Sequence, residues 1–153
     1  MNALRTPSDE GTAIVEFVFL AVVVLVPLVY LVAAVAVVQR NTLAVSQAAR
    51  DAGRAFSTSD TVDGARARAA AAVRLALADQ GLPDDVDVRF VSAGAPCTAA
   101  RIRPLLTPGT QFTVCVTRRV QLPGIPSLLA GRGVRVVATF LVHVDDYRAV
   151  ESR

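Results

Sequence analysis

A single carboxylate near the start of a long apolar run is the residue with the clearest chemical implication in this chain. Glu16 directly precedes a stretch from Phe17 to Val38 that contains no charged residue. A carboxylate at the centre of a bilayer costs about 2.5 to 3.5 kcal/mol, and less where water or headgroups reach it. Two interpretations follow. Glu16 is either an interfacial carboxylate, or it pairs with a positive group that a partner supplies.

The other titratable residues indicate little catalytic chemistry. The only histidine, His143, lies beside Asp145 and Asp146, but the Gly-x-Ser-x-Gly pattern of a serine hydrolase is absent. The acidic cluster at 84–87 lacks the glycine and the distal glutamate of an EF-hand loop. No glycine-rich phosphate-binding loop occurs. We therefore predict that the chain is not an enzyme and uses no metal or other cofactor.

The basic charge of the chain does not point to a polyanionic partner. The net charge is +3 at pH 7, and all 16 basic residues are arginines. They are scattered over the sequence and do not form a basic run interleaved with aromatic residues. We expect the chain to bind neither nucleic acid nor a small-molecule substrate.

Two cysteines, Cys97 and Cys115, are the chain's whole cysteine content. An even number of cysteines favours a disulfide in an extracytoplasmic domain, and two buried free thiols are the alternative. A zinc site is excluded, because one histidine and two cysteines without Cys-x-x-Cys spacing cannot supply four ligands.

The length of the uncharged run predicts a membrane-spanning helix. As a helix the run is about 33 Å long, which is enough to cross the hydrocarbon core of a bilayer. Pro27 in its middle removes one backbone hydrogen bond, so we expect a mild kink. A cleaved signal peptide ending at Ala34-Val35-Ala36 is the alternative. The run is longer than the usual apolar region of about 7 to 15 residues, and only Arg5 precedes it as a basic residue, so a retained anchor is favoured.

The residues around Glu16 resemble the processing site of type IV pilin-like proteins, most closely the TadE/TadF-like pseudopilins of tight-adherence (Flp) pilus systems. In that family a prepilin peptidase cuts after a glycine, and a glutamate stands at the fifth mature position. The matching residues are Gly11, Thr12 and Glu16. The segment Gln47–Arg54, QAARDAGR, is similar to a second family segment of the Ala-Ala-Arg-Glu-Gly-Ala-Arg type.

The match also has departures. Acidic residues precede Gly11, whereas pilin leaders are commonly basic there, and the first mature residue is Thr rather than the Phe or Met of major pilins. The second departure favours a minor member of the family. The resemblance implies that residues 1–11 are a cleaved leader and that Glu16 neutralises the new α-ammonium of a neighbouring subunit during assembly.

The resemblance further implies a location and a set of partners. We expect a single-pass protein of the bacterial cytoplasmic (inner) membrane, with its N-terminus inside and its C-terminal domain outside, which is incorporated in a pilus or stays at its base. Its partners would be a prepilin peptidase, the pilus assembly platform, other pilins or pseudopilins, and membrane lipid. Counting basic residues predicts the opposite orientation, because Arg40, Arg50 and Arg54 follow the run. That rule is weak for long translocated domains.

Helical periodicity continues beyond the membrane segment. We predict a transmembrane helix at 12–38, a stalk helix at 39–56 with one small, Ala-rich face, and an α+β domain at 57–153. The Ala-rich face either packs on the chain's own domain or contacts another subunit. A second helix is predicted from Thr61 to Asp79, with Asp60 as its N-cap.

The remaining sequence changes to a period of two, which indicates strands. Alternation begins at Val86, Phe112 and Val134, and we expect a three-stranded antiparallel sheet that lays its apolar face on the helices. The predicted fold is therefore α+β, and the family resemblance implies that it is pilin-like. An apolar connection before the last strand offers a partner surface or covers the core, and its large apolar residues are Leu122, Ile125, Leu128 and Leu129.

The main alternative to a pseudopilin is a single-pass anchored or secreted protein whose small α+β binding domain is unrelated to pili.

Overall fold

The computed structural model describes residues 10–123 and 133–148, with side chains from Ala13 onward. Within those residues the chain forms two helices followed by three strands. They are α1 (Glu10–Ser57), α2 (Val62–Asp79), β1 (Val86–Ser92), β2 (Gln111–Val120) and β3 (Val134–His143). This α+β order is the one that the sequence predicts. The chain divides into an N-terminal unit that ends at Ala36 and a C-terminal unit that begins at Val37.

The N-terminal unit consists of the first part of α1. Its large apolar side chains are exposed on every side of the helix, as at Phe17 (72%) and Val26 (60%). No described residue covers this surface, and a helix that is apolar all round is typical of a membrane span or of the core of a large protein. The helix contains Pro27 in its interior, which membrane helices tolerate.

In the C-terminal unit, the second part of α1 is amphipathic and forms one wall of the core. Its buried residues recur at helical spacing, while Gln47, Arg50 and Arg54 are exposed. The buried residues are Ala44, Val45, Ala48, Ala49, Ala52 and Phe56. The Ala-rich face of the segment predicted as a stalk therefore packs on the chain's own domain. This packing is the first of the two alternatives that the sequence left open.

Helix α2 begins one residue later than predicted, and its cap differs from the predicted one. Thr61 is the N-cap, with an extended backbone and a hydroxyl oxygen that accepts a hydrogen bond from the Gly64 amide. The prediction of Asp60 as the cap is therefore wrong. Both residue types cap helices well, and the backbone conformation at Thr61 decides between them. The helix ends before Gly81, whose φ of 60° favours glycine.

The three strands form one antiparallel sheet in the order β1-β2-β3. Residues on one face of each strand join the core with α1 and α2, as the alternation predicts. Phe112, Val114 and Val116 of β2 are fully buried there. On the same face, Phe56 of α1 packs between Phe90 and Phe112, with ring centroids 5.2 and 5.0 Å away.

Two arginines tie the helices of the C-terminal unit to other elements at opposite ends of α2. Arg40 of α1 donates hydrogen bonds to the Gln80 carbonyl, just beyond the end of α2. Arg148 donates to the carbonyls of Ser57 and Ser59, just before α2 begins. These bonds satisfy carbonyl groups that helix ends leave without partners.

Candidate functional site

The candidate processing and pairing site lies at the start of α1. Gly11, Thr12 and Glu16 all fall within this helix. Residues four apart on a helix lie one turn apart on the same face, so the backbone places Glu16 one turn along the helix from Thr12. A carboxylate there is within reach of a positive group that approaches the beginning of the helix from outside the chain.

Glu16 itself is exposed, and it makes no hydrogen bond or ion pair with the residues that the structure describes. Its neighbours on α1 are apolar and exposed, including Ile14 (66%) and Phe19 (65%). The described residues therefore provide no counter-charge for this carboxylate. Either solvent and headgroups accommodate it, or a separate molecule supplies the positive charge.

The disulfide predicted between Cys97 and Cys115 is present. The two Cα atoms are 5.7 Å apart and the sulfurs are bonded. The bridge joins the long connection between β1 and β2 to the middle of β2, on the sheet face opposite the main core. Val91 packs against it, and together with Ala95 and Ala99 it forms a small second cluster. The bridge therefore fixes a connection that has few other buried side chains.

His143 forms a surface network and has no nucleophile as a partner among the described residues. Its Nδ1 lies 3.1 Å from Gln111 Nε2, and its Nε2 lies 3.2 Å from Asp146 Oδ2. The ring is nearly half exposed. Those contacts link the end of β3 to the start of β2 and to the turn that follows β3.

Two of the three acidic residues before and within β1 are used in ion pairs. Asp85 lies 2.5 Å from Arg118, and Asp87 contacts both Arg89 and Arg101. No group of three or more His, Cys, Asp or Glu side chains in the described part of the chain could hold a metal ion.

Of the four residues predicted to form a partner surface, only Leu122 is described, and it is partly exposed. Ile125, Leu128 and Leu129 lie outside the described residues.

Sequence reasoning missed the role of Arg118. Its side chain is 6% exposed and points to the core side of β2, where it donates to the Pro83 carbonyl and pairs with Asp85. The alternation of β2 contains the signal, since Arg118 continues the inward series of Phe112, Val114 and Val116. An arginine at an inward position needs an acidic partner, and the acidic cluster before β1 supplies it.

With this geometry in place, comparisons with known proteins do not assign the chain to a class: no family model, curated protein or solved structure matches it. Among the described residues one helix, from Ala13 to Ser57, is long and apolar enough to cross a membrane. A signal sequence near an N-terminus meets the same criterion. The fold and the site thus define an α+β protein with one helix that could span a membrane and with a carboxylate near the start of that helix.

Proposed function

We propose that this chain is a TadE/TadF-like minor pseudopilin that contributes to assembly of a tight-adherence (Flp) pilus. In this proposal a prepilin peptidase removes residues 1–11, and α1 holds the mature chain in the bacterial inner membrane with its C-terminal unit outside. The observation that carries the proposal is the position of Glu16. It is a carboxylate without a partner among the described residues, one turn from Thr12 and at the edge of an apolar helix surface.

Electrostatics explains why these two positions belong together. Cleavage after Gly11 gives Thr12 an α-ammonium, and packing of several such helices would move that charge into an apolar environment. Two opposite charges 4 Å apart attract by about 4 kcal/mol at an effective dielectric constant of 20. Pairing the ammonium of one subunit with Glu16 of a neighbour offsets the desolvation of both groups. It also fixes the stagger between the subunits.

The second candidate function is an anchored or secreted binding domain without a role in pili. It is favoured by the packing of the segment Gln47–Arg54, because the small residues of this segment are buried within the chain. Ala48, Ala49 and Ala52 are fully buried. The intramolecular core therefore explains these small residues without any contact between subunits.

N-terminal sequencing of the protein extracted from membranes separates these functions. A terminus at Thr12 supports cleavage by a prepilin peptidase. A terminus at Val37 indicates signal peptidase and a secreted domain, and an intact Met1 indicates a plain anchor. Either of the last two results would contradict the proposed processing.

The substitution Glu16→Gln tests the pairing. We expect the variant to be cleaved and inserted normally, because Gln is isosteric and uncharged, but to fail in pilus assembly. Asp60→Asn is the matched control, since it removes one exposed carboxylate from the C-terminal unit. Assembly is measured as the amount of pilin sheared from cells. Normal piliation by the Glu16→Gln variant would show that Glu16 is only an interfacial carboxylate.

A further inference from the structure

Two arginines face each other at one end of the sheet. The register pairs Arg119 of β2 directly with Arg135 of β3. Both are exposed and lie on the sheet face opposite the main core. Like charges directly opposite each other in an antiparallel pair repel. The fold thus holds two guanidinium groups side by side at some cost to its own stability.

Neither arginine forms an ion pair with an acidic residue of the described chain, although two carboxylates line the same depression. The two nearby carboxylates, Asp85 and Asp87, are engaged by other arginines, and neither forms an ion pair with Arg119 or Arg135. The connection between β2 and β3, residues 121–133, contains no Asp or Glu in its sequence. An anion from outside the chain would relieve the repulsion.

The pair lines a surface depression suited to an oxyanion. The depression has a volume of about 610 Å³, and its other lining residues are Asp85, Asp87, Arg89, Thr98 and Thr117. The buried Thr117 hydroxyl has no hydrogen-bond partner among the described residues. Guanidinium groups bind phosphate oxygens through paired N–H donors, and a hydroxyl can donate a further bond. Arg119 and Arg135 therefore match a phosphate group, while the two carboxylates of the depression are held by other arginines.

The neighbouring residues indicate which phosphate this would be. Arg119 also lines an adjoining depression together with Val37 and Asn41 of α1. Val37 belongs to the uncharged run, and Asn41 follows the end of that run at Val38 by less than one helical turn. If α1 crosses a membrane, residues beside Asn41 lie at the level of the lipid headgroups.

We propose that Arg119 and Arg135 bind the phosphate of an anionic phospholipid headgroup and so hold the C-terminal unit on the membrane surface. This inference rests on the membrane anchoring that is part of the proposed function. The bound lipid supplies a negative charge, since no described carboxylate pairs with these two arginines. Phosphatidylcholine also contains a phosphate, but its choline cancels the charge, so the site should prefer phosphatidylglycerol.

The test measures lipid binding by the full chain in mild detergent. Phosphatidylglycerol and phosphatidylcholine with identical acyl chains are titrated, and bound lipids are counted by native mass spectrometry. The double variant Arg119→Gln/Arg135→Gln should bind phosphatidylglycerol about 30-fold more weakly, given the usual contribution of two basic residues at an anionic membrane surface. Its weak binding of phosphatidylcholine should not change. Circular dichroism establishes that the variant is folded.

The matched control is Arg68→Gln/Arg103→Gln, which makes the same change in net charge at two exposed arginines without ion pairs to described residues. The loss of phosphatidylglycerol affinity in this control should be about an order of magnitude smaller than the loss in the site variant. Equal losses in both double variants would overturn the site, because they would show a response to net charge alone. Competition by inorganic phosphate as strong as that by the lipid would overturn the assignment to a headgroup.

Alkaline extraction of the chain from phosphatidylcholine vesicles separates this inference from the proposed anchor. A chain that resists extraction but binds both lipids equally keeps its anchor and loses the headgroup site. A chain that is extracted has no anchor, and its sedimentation with phosphatidylglycerol vesicles then decides the arginine site. Loss of that sedimentation in the double variant alone would support the site, and no loss would overturn it.

Discussion

The two units of this molecule differ in the exposure of their large apolar side chains. In the N-terminal unit, large residues such as Phe19 are exposed to 65%. In the C-terminal unit, Phe56 is fully buried and contacts two other aromatic rings. Both residues belong to the same helix, α1. The difference shows that the helix is made for two environments, because protein atoms cover only one of its two apolar parts.

The units also share a feature. Each has a charge that the described chain leaves without an opposite partner, a carboxylate at Glu16 and the guanidinium pair at Arg119 and Arg135. In the C-terminal unit some charges are paired internally, as between Arg118 and Asp85, while others, such as Arg68, stand alone on the surface. Arg119 and Arg135 differ from these single charges because the register places two like charges directly opposite each other.

The largest expected effect separates the two apolar parts of α1. Phe56→Ala removes a ring from the aromatic cluster and should lower the free energy of unfolding of the C-terminal unit by about 3 to 5 kcal/mol. Phe19→Ala, in the same helix, should leave that free energy unchanged because Phe19 is exposed and is not a member of the core. Urea unfolding of the full chain in mild detergent, followed by circular dichroism, measures both. A comparable loss of unfolding free energy from Phe19→Ala would contradict the distinction between the two units.

A charge placed on each unit tests what covers the exposed leucines. Leu25 and Leu75 are similarly exposed, at 58% and 64%. Leu25→Arg should raise the apparent free energy of membrane insertion by about 2.5 to 3.5 kcal/mol if lipid surrounds it. Leu75→Arg on α2 should change the stability of the domain by less than about 0.5 kcal/mol. A glycosylation reporter measures insertion. A negligible effect at Leu25 would exclude lipid as its environment.

The sequence predicts the elements of this fold well because their burial patterns are local. The pattern of apolar residues indicates which face each element buries. It alternates from Phe112 to Val116 and has helical spacing from Val45 to Phe56. The register of the sheet is not local, since long connections separate the strands, and so the pairing of Arg119 with Arg135 could not be foreseen. The partner of Glu16 is even harder to predict from the sequence, because the described chain holds no partner for it.

Gly53 lies in the segment that resembles a pseudopilin motif, and packing within the chain explains why a glycine stands there. An added Cβ at this position would lie 2.5 Å from Phe140 Cδ1 and 2.8 Å from Val142 Cγ2. Gly53→Ala should therefore destabilise the C-terminal unit by about 1 to 3 kcal/mol through overpacking, despite the better helix propensity of alanine. Urea unfolding measures the change. Gly64→Ala on α2 is a milder control, because its only close neighbour is the Thr61 hydroxyl. Stabilisation by Gly53→Ala would mean that β3 can move away from α1.

The smallest expected effect has the opposite sign. Arg135→Gln removes one charge from the cross-strand pair with Arg119, and relief of repulsion should raise the free energy of unfolding by about 0.2 to 1 kcal/mol in the absence of anionic lipid. Salt screens exposed charges, so the gain should shrink as ionic strength rises. Arg68→Gln, which has no opposing arginine, should give no gain. Adding phosphatidylglycerol should reverse the order of stability, because the wild-type pair would then be occupied by an anion that the variant binds more weakly. A variant that stays more stable with the lipid present would show that the two arginines do not form a lipid site.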